Sequence, residues 1–191
     1  MPGQRVWGPP WGGAFAWGER LPFVTGVSAD PRSRGSLSWP VPELLWATVG
    51  HAEGGTPITA FDGALTQAGI GHCNLIKVTS VAPPDAVLVD GSLDIEPGSL
   101  VPAVLASVGS RQPGETISAC VGIGFGAGSH GMIMEHSGVG TRDQMESIVR
   151  DMLEESFLGR GLTLRKTSLH SVSHTVEQIG SCVAAVVLWW R

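Results

Sequence analysis

The stretch TISACVGIGFGAGSHGMIMEHSGVGTRDQMESIVRDMLEESFLG, residues 116–159, decides the fold. Its first half holds two apolar runs, Thr116–Phe125 and Gly131–His136, separated by glycines and each of strand length. Its second half changes period. Met145, Ile148, Val149, Met152 and Leu153 recur on one face at helical spacing over 141–158. Thr141 and Gln144 fit a capping box, in which each side chain bonds the other residue's backbone N–H. Gly159 and Gly161 end the segment. Two apolar strands followed at once by an amphipathic helix need a sheet with a helix laid against it.

The same alternation extends outward. Leu100–Val108 reads as a strand, joined to Thr116–Phe125 by a turn at Pro113-Gly114. Two closing strands are predicted near 162–174 and 181–190. Upstream, Leu44–Val49 is a short apolar run and so a buried strand. Thr56 can cap a helix with Pro57 in its first turn, where a missing N–H costs little. Ile58, Phe61, Leu65 and Ala68 follow at helical spacing, Asp62 lies on the flank, and Gly69 marks the stop. Asn74–Val81 reads as one strand, ended by Pro83-Pro84. Six or seven strands and two main helices, without an internal repeat, predict an α+β fold. The architecture is a layered αββα sandwich of mixed and antiparallel sheets.

Residues 1–41 differ in kind. The first 40 hold seven glycines, six prolines and four of the seven tryptophans, with no steady period. They read as an irregular Gly/Pro/Trp-rich extension ahead of one domain at 42–191. The first 20 lack the continuous apolar segment of a secretion signal.

Composition narrows the chemistry. Of 191 residues, 42% are hydrophobic and 15% charged, which suits a folded domain with a sizeable core. A net charge of -5 argues against nucleic acid, which rewards basic stripes. No Lys/Arg cluster suits an anionic membrane, and no apolar run reaches the ~18 residues needed to span one. Cys73, Cys120 and Cys182 are odd in number and widely spaced. They suit neither a disulfide framework nor a zinc site, and fit a reducing, cytoplasmic setting.

Several apparent motifs carry little. Gly122-Ile-Gly124-Phe-Gly126-Ala-Gly128 lacks the following helix and the acidic residue of a dinucleotide loop, so it reads as a glycine-rich strand end. Ser129 does not sit in a nucleophile elbow. His170 and His174 share a strand face but are too far apart for a comfortable metal pair, and are expected on a solvated face. His130 and His136 flank Glu135 without a third ligand, so no metal is proposed. Ser80, Asn74 and Asp62 are unremarkable taken singly. Glu135 follows Met132-Ile133-Met134 in an apolar strand, where burial would raise its pKa and suit it to proton donation.

Taken in order, the motifs say more. Glu53-Gly-Gly-Thr-Pro57, Ala60-Phe-Asp62-Gly-Ala-Leu65, Ala68-Gly-Ile-Gly71, Asn74-Leu-Ile76, Thr79-Ser80 and Pro83-Pro84 are followed by further ones. These are Pro113-Gly-Glu-Thr-Ile-Ser-Ala119, Gly131-Met-Ile-Met-Glu135, His174-Thr-Val-Glu177 and the closing Ala184–Trp190 run. The series resembles the pyruvoyl-dependent arginine decarboxylases over nearly all of the chain from residue 42. Many members have Ser-Ser at the cleaved bond where Thr79-Ser80 stands. The 1–41 extension and His136, where an aromatic residue is common, are departures.

The resemblance implies a zymogen that cuts itself between Thr79 and Ser80. Ser80 Oγ attacks the Thr79 carbonyl, an ester forms, and elimination and hydrolysis convert Ser80 into a covalent pyruvoyl cofactor. Asn74 corresponds to a polar residue that steadies the oxyanion. In the reaction on L-arginine, which proceeds through a Schiff base to agmatine and CO₂, Glu135 corresponds to the acid and Asp62 to a carboxylate pairing with the guanidinium. The family assembles as trimers, sometimes dimers of trimers, with active sites between subunits. A decarboxylase of another amino acid, or an unprocessed structural or regulatory homologue, would carry many of the same motifs.

Overall fold

The computed structural model describes residues 39–191. The expected irregular extension therefore lies, up to residue 38, outside the described residues. From there the chain runs β1 (Leu44–Glu53), α1 (Pro57–Gln67), β2 (Asn74–Lys77), β3 (Val81–Ala82), β4 (Val87–Leu88), β5 (Leu100–Ser110) and β6 (Thr116–Gly126). It continues through β7 (Gly131–Val139), α2 (Arg142–Gly159), β8 (Leu164–Thr175) and β9 (Gly180–Trp189).

These strands make two sheets. Sheet A has the order β2-β5-β9-β1-β4, and sheet B the order β3-β7-β6-β8. Sheet B is antiparallel throughout. Sheet A is mixed, because β2 joins β5 and β4 joins β1 in parallel. Each helix covers the outer face of one sheet, giving the αββα layering expected from the sequence.

Three apolar layers result. Between the sheets lie Val104, Ile117, Val121, Ile123, Ile133, Ala184 and Val186. Outside sheet A, α1 packs on Trp46, Val101, Ala103, Val183 and Ala185. Outside sheet B, Met145, Val149, Leu153 and Phe157 of α2 meet Cys120 and Met132. With both faces covered, β6 and β9 are buried along nearly their whole length, which is why they read as continuous apolar runs.

Both caps form as the sequence dictates. Thr141 accepts from the Gln144 N–H at 3.3 Å, and Gln144 returns an acceptor to the Thr141 N–H at 2.8 Å. Thr56 pairs likewise with Thr59 at the start of α1. Gly69 takes φ +76°, a left-handed turn that stops α1 without strain.

Four expectations need correction. Asn74–Val81 is not one strand: pairing stops after Lys77 and resumes at Val81 in the other sheet. The buried stripe of α1 is Ala60, Ala64 and Ala68, flanked by Phe61 and Leu65, while Ile58 points to solvent. Small side chains let this helix sit close to the sheet, and Gly50 of β1 matches them: a Cβ there would lie 2.7 Å from the Ala68 nitrogen. On α2, Ile148 is likewise exposed. Nine strands are seen among the described residues, because the two-residue pairs β3 and β4 are too short to show a period.

Candidate active site

The break after Lys77 creates the candidate site. β2 is the edge strand of sheet A and β3 the edge strand of sheet B. Residues 78–80 carry the chain from one edge to the other, and the Thr79–Ser80 peptide lies in that crossover.

Hydrogen bonds fix the corner on both sides. The Val78 N–H donates to the Ala103 carbonyl of β5 at 3.1 Å, the last tie to sheet A. The Ile133 N–H of β7 donates to the Ser80 carbonyl at 2.8 Å, the first tie to sheet B. Between them the Val81 N–H donates to the Thr79 carbonyl at 3.0 Å. A bond from residue i+2 back to residue i is a γ-turn, here centred on Ser80. Ser80 is not among the residues with positive φ, so the turn is of the inverse, unstrained kind. Thr79 is exposed and Ser80 half-buried.

Glu135 stands next to this corner. It follows Ile133 by two residues on β7, so it shares Ile133's face and points into the layer between the sheets, at its open margin. Burial raises its pKa, and the ammonium of Lys77 pulls the other way. Lys77 Nζ lies 3.8 Å from Glu135 Oε1. A cleft of about 320 Å³ opens here, lined by Lys77, Leu105, Ser107, Glu135 and Ser137. A second, of about 420 Å³, lies beyond β3 against Pro83, Pro84, Phe125 and Ser129.

A single chain thus brings together Thr79, Ser80 and Glu135. It does not bring Asn74 or Asp62 to them. Asn74 begins β2, at the far end from the crossover, and its Nδ2 donates to the Gly98 carbonyl at 2.8 Å. Asp62 is exposed on α1, over the outer face of sheet A, with its backbone carbonyl accepting from Thr66 Oγ1.

Two features escaped the sequence. Lys77 closes an apolar strand three residues before Ser80, and a charge in that place was the signal available. The Val81 N–H is a backbone group and leaves no trace in residue type.

The histidines also differ from expectation. His170 and His174 are half-buried, not solvated: His170 Nε2 shares a hydrogen bond with Ser168 Oγ at 2.9 Å, and burial lowers its pKa. His174 reaches across to β1. No group of three or more metal-ligating side chains occurs among the described residues.

The corner fits a cofactor made from Ser80. The hydroxyl belongs to the residue after the polarised carbonyl, both flanks are clamped, and a carboxylic acid of raised pKa is adjacent.

Comparison with known proteins points the same way. The family model for pyruvoyl-dependent arginine decarboxylase matches residues 44–190. The chain is 39% identical over 153 residues to the pyruvoyl-dependent arginine decarboxylase of Methanocaldococcus jannaschii, covering 79% of this chain and 92% of that one. It is 39% identical over 153 residues to the enzyme so named from Thermococcus kodakarensis, covering 80% and 98%. It is also 39% identical over 156 residues to that from Pyrococcus abyssi, covering 80% and 99%.

Proposed function

This chain belongs to the pyruvoyl-dependent arginine decarboxylase family, and from that premise we propose that it cuts itself between Thr79 and Ser80 and then converts L-arginine to agmatine and CO₂. The decarboxylase domain runs from 42 to 191, with residues 1–41 as an extension outside it. The observation that carries the reading is the Thr79–Ser80 peptide, clamped between two sheet edges beside Glu135.

Ser80 supplies the nucleophile of self-cleavage and becomes the start of the 80–191 fragment. The pyruvoyl group derived from it supplies an electron sink for the pair released with CO₂. Glu135 holds a proton on its carboxyl and delivers it to the substrate α-carbon. Its half-buried position supports this, because burial keeps a carboxyl protonated closer to neutral pH. Asp62 pairs with the guanidinium, for which an arginine–carboxylate fork is short and directional.

Within one chain Asp62 and Asn74 lie away from the crossover. We therefore place the complete site between neighbouring subunits of a trimer, alone or paired into a dimer of trimers, where one subunit's Asp62 and Asn74 complete another's Ser80 and Glu135. A cytoplasmic setting suits three cysteines that are all free. No described helix is long and apolar enough to cross a membrane.

Intact mass of the purified protein tests the reading. The expected result is two polypeptides, 1–79 and 80–191, the second lighter by one ammonia than the same fragment starting with serine. Ser80→Ala should remain one chain and release no CO₂ from arginine. An active preparation that is a single chain with serine at position 80 would overturn it.

A further inference from the structure

We infer that the backbone N–H of Val81 is the oxyanion donor of the self-cleavage, an inference that rests on Thr79–Ser80 being the bond cut. In the first step Ser80 Oγ adds to the Thr79 carbonyl carbon, and the carbonyl oxygen takes up negative charge. The Ser80 nitrogen then leaves that carbon, accepting the hydroxyl proton, and an ester joins Thr79 to the Ser80 side chain. Loss of the Ser80 α-proton expels the Thr79 carboxylate and leaves dehydroalanine at 80. Water then adds at its α-carbon and ammonia departs.

Only the first step needs a donor on the Thr79 oxygen, and the γ-turn supplies one. The Val81 nitrogen is 3.0 Å from that oxygen in the uncut chain, so the donor is already bonded to the atom on which the charge develops. Neither partner can drift: the Ile133 N–H holds the Ser80 carbonyl, and the Val78 N–H holds the chain to β5. Val81 and Ala82 are registered against Met132 and Gly131 of β7, so the donor belongs to a paired strand and is pre-aimed. Within the same chain the Asn74 amide cannot take this place while its Nδ2 is given to Gly98 at the other end of β2. Asn74 from a neighbouring subunit would be a second donor, not the first.

Val81→Pro removes the N–H, and Val81→Ala keeps it. Cleavage is followed by intact mass during a time course from freshly made precursor. The expected result is cleavage slowed on the order of 10²–10³-fold by proline, the usual cost of one lost oxyanion donor, and restored by alanine. If the proline variant does not fold, replacing Val81 by its α-hydroxy acid puts an ester oxygen where the N–H was and leaves the chain path intact. A variant without the N–H that melts like the parent and is cut between 79 and 80 at the parent's rate overturns the inference. Cleavage of Ser80→Ala at that bond, or a parent chain cut elsewhere, would instead overturn the assignment of the bond.

Discussion

His174 Nε2 lies 2.6 Å from Glu53 Oε1, joining residues 121 positions apart. Glu53 ends β1, and its carboxylate also accepts the backbone N–H groups of Glu177, Gln178 and Ile179 at 2.9, 3.0 and 2.8 Å. One side chain thereby closes the turn between β8 and β9 onto the central part of sheet A. His51 stacks on His174 with ring centroids 4.8 Å apart.

Glu53→Gln should destabilise the fold by on the order of 2 kcal/mol in urea unfolding, because four charge-assisted acceptor contacts lose their charge. Burial alone would raise the Glu53 pKa, but the three N–H groups and His174 outweigh it and bring it down to about 2. A carboxyl with a depressed folded pKa stabilises above its unfolded value near 4.5, and that stability fades as pH falls towards about 2. His51 adds in the same direction. Burial, and then the nearby His174, lower its pKa from 6.5, so acid favours the unfolded chain from that pH downward. Stability measured against pH should fall in two stages on acidification, and Glu53→Gln should flatten the lower one.

Gly50→Ala should weaken the docking of α1. The added Cβ would meet helix backbone at Ala68 and not a movable side-chain end. Overpacking of this kind costs about 1–3 kcal/mol, measurable as a lower thermal midpoint. Gly55→Ala, where nothing lies within 4 Å, is the control and should leave the midpoint near the parent's.

These two sites show what the sequence could and could not disclose. Helix α2 was legible because its signals are local: Thr141, Gln144 and the Met145–Leu153 face lie within about three turns. The layering was legible because covered sheets write continuous apolar strands. The stripe of α1 was misread, since Ile58 and Phe61 outrank alanine in hydrophobicity, and only the proximity of Gly50 makes small residues the buried ones. Glu53 showed no local reason to be more than a strand-end charge, and its partners arrive 121 residues later. At the candidate site, Glu135 drew notice from its apolar strand, and Ser80 only through the resemblance. The γ-turn was not, because it is made of backbone.

Lys77→Met should move the alkaline limb of the arginine pH–rate profile upward. With Glu135 as the proposed acid, activity should fall as pH rises through its pKa. Removing the cation 3.8 Å away takes away the larger of the two effects that oppose burial, the other being a backbone hydrogen bond, and raises that pKa further. Lys77 is largely exposed, so the displacement should be at most about one pH unit. Lys77→Arg should restore the limb.

Asp62→Asn should raise KM for arginine by about 10–100-fold, the worth of a charged fork reduced to a neutral contact. The comparison is citrulline, the neutral isostere of arginine. If Asp62 reads charge, the preference for arginine over citrulline should shrink by the same factor. An unchanged preference would remove Asp62 from the guanidinium site.

The crossover at residues 78–80 has one more consequence. A cut there divides sheet A between two molecules: β1 and β2 stay with the short piece, while β4, β5 and β9 go with the long one. Yet β1 keeps all ten of its registered partners on β9, so the pieces have no reason to part. What changes is the way back. The precursor can recover from denaturation alone, as one chain whose strands are tethered. The mature enzyme must find its two missing strands by diffusion, at whatever concentration the short piece happens to have. Maturation therefore makes recovery depend on concentration, and in dilute solution the working enzyme is held together by how slowly it comes apart.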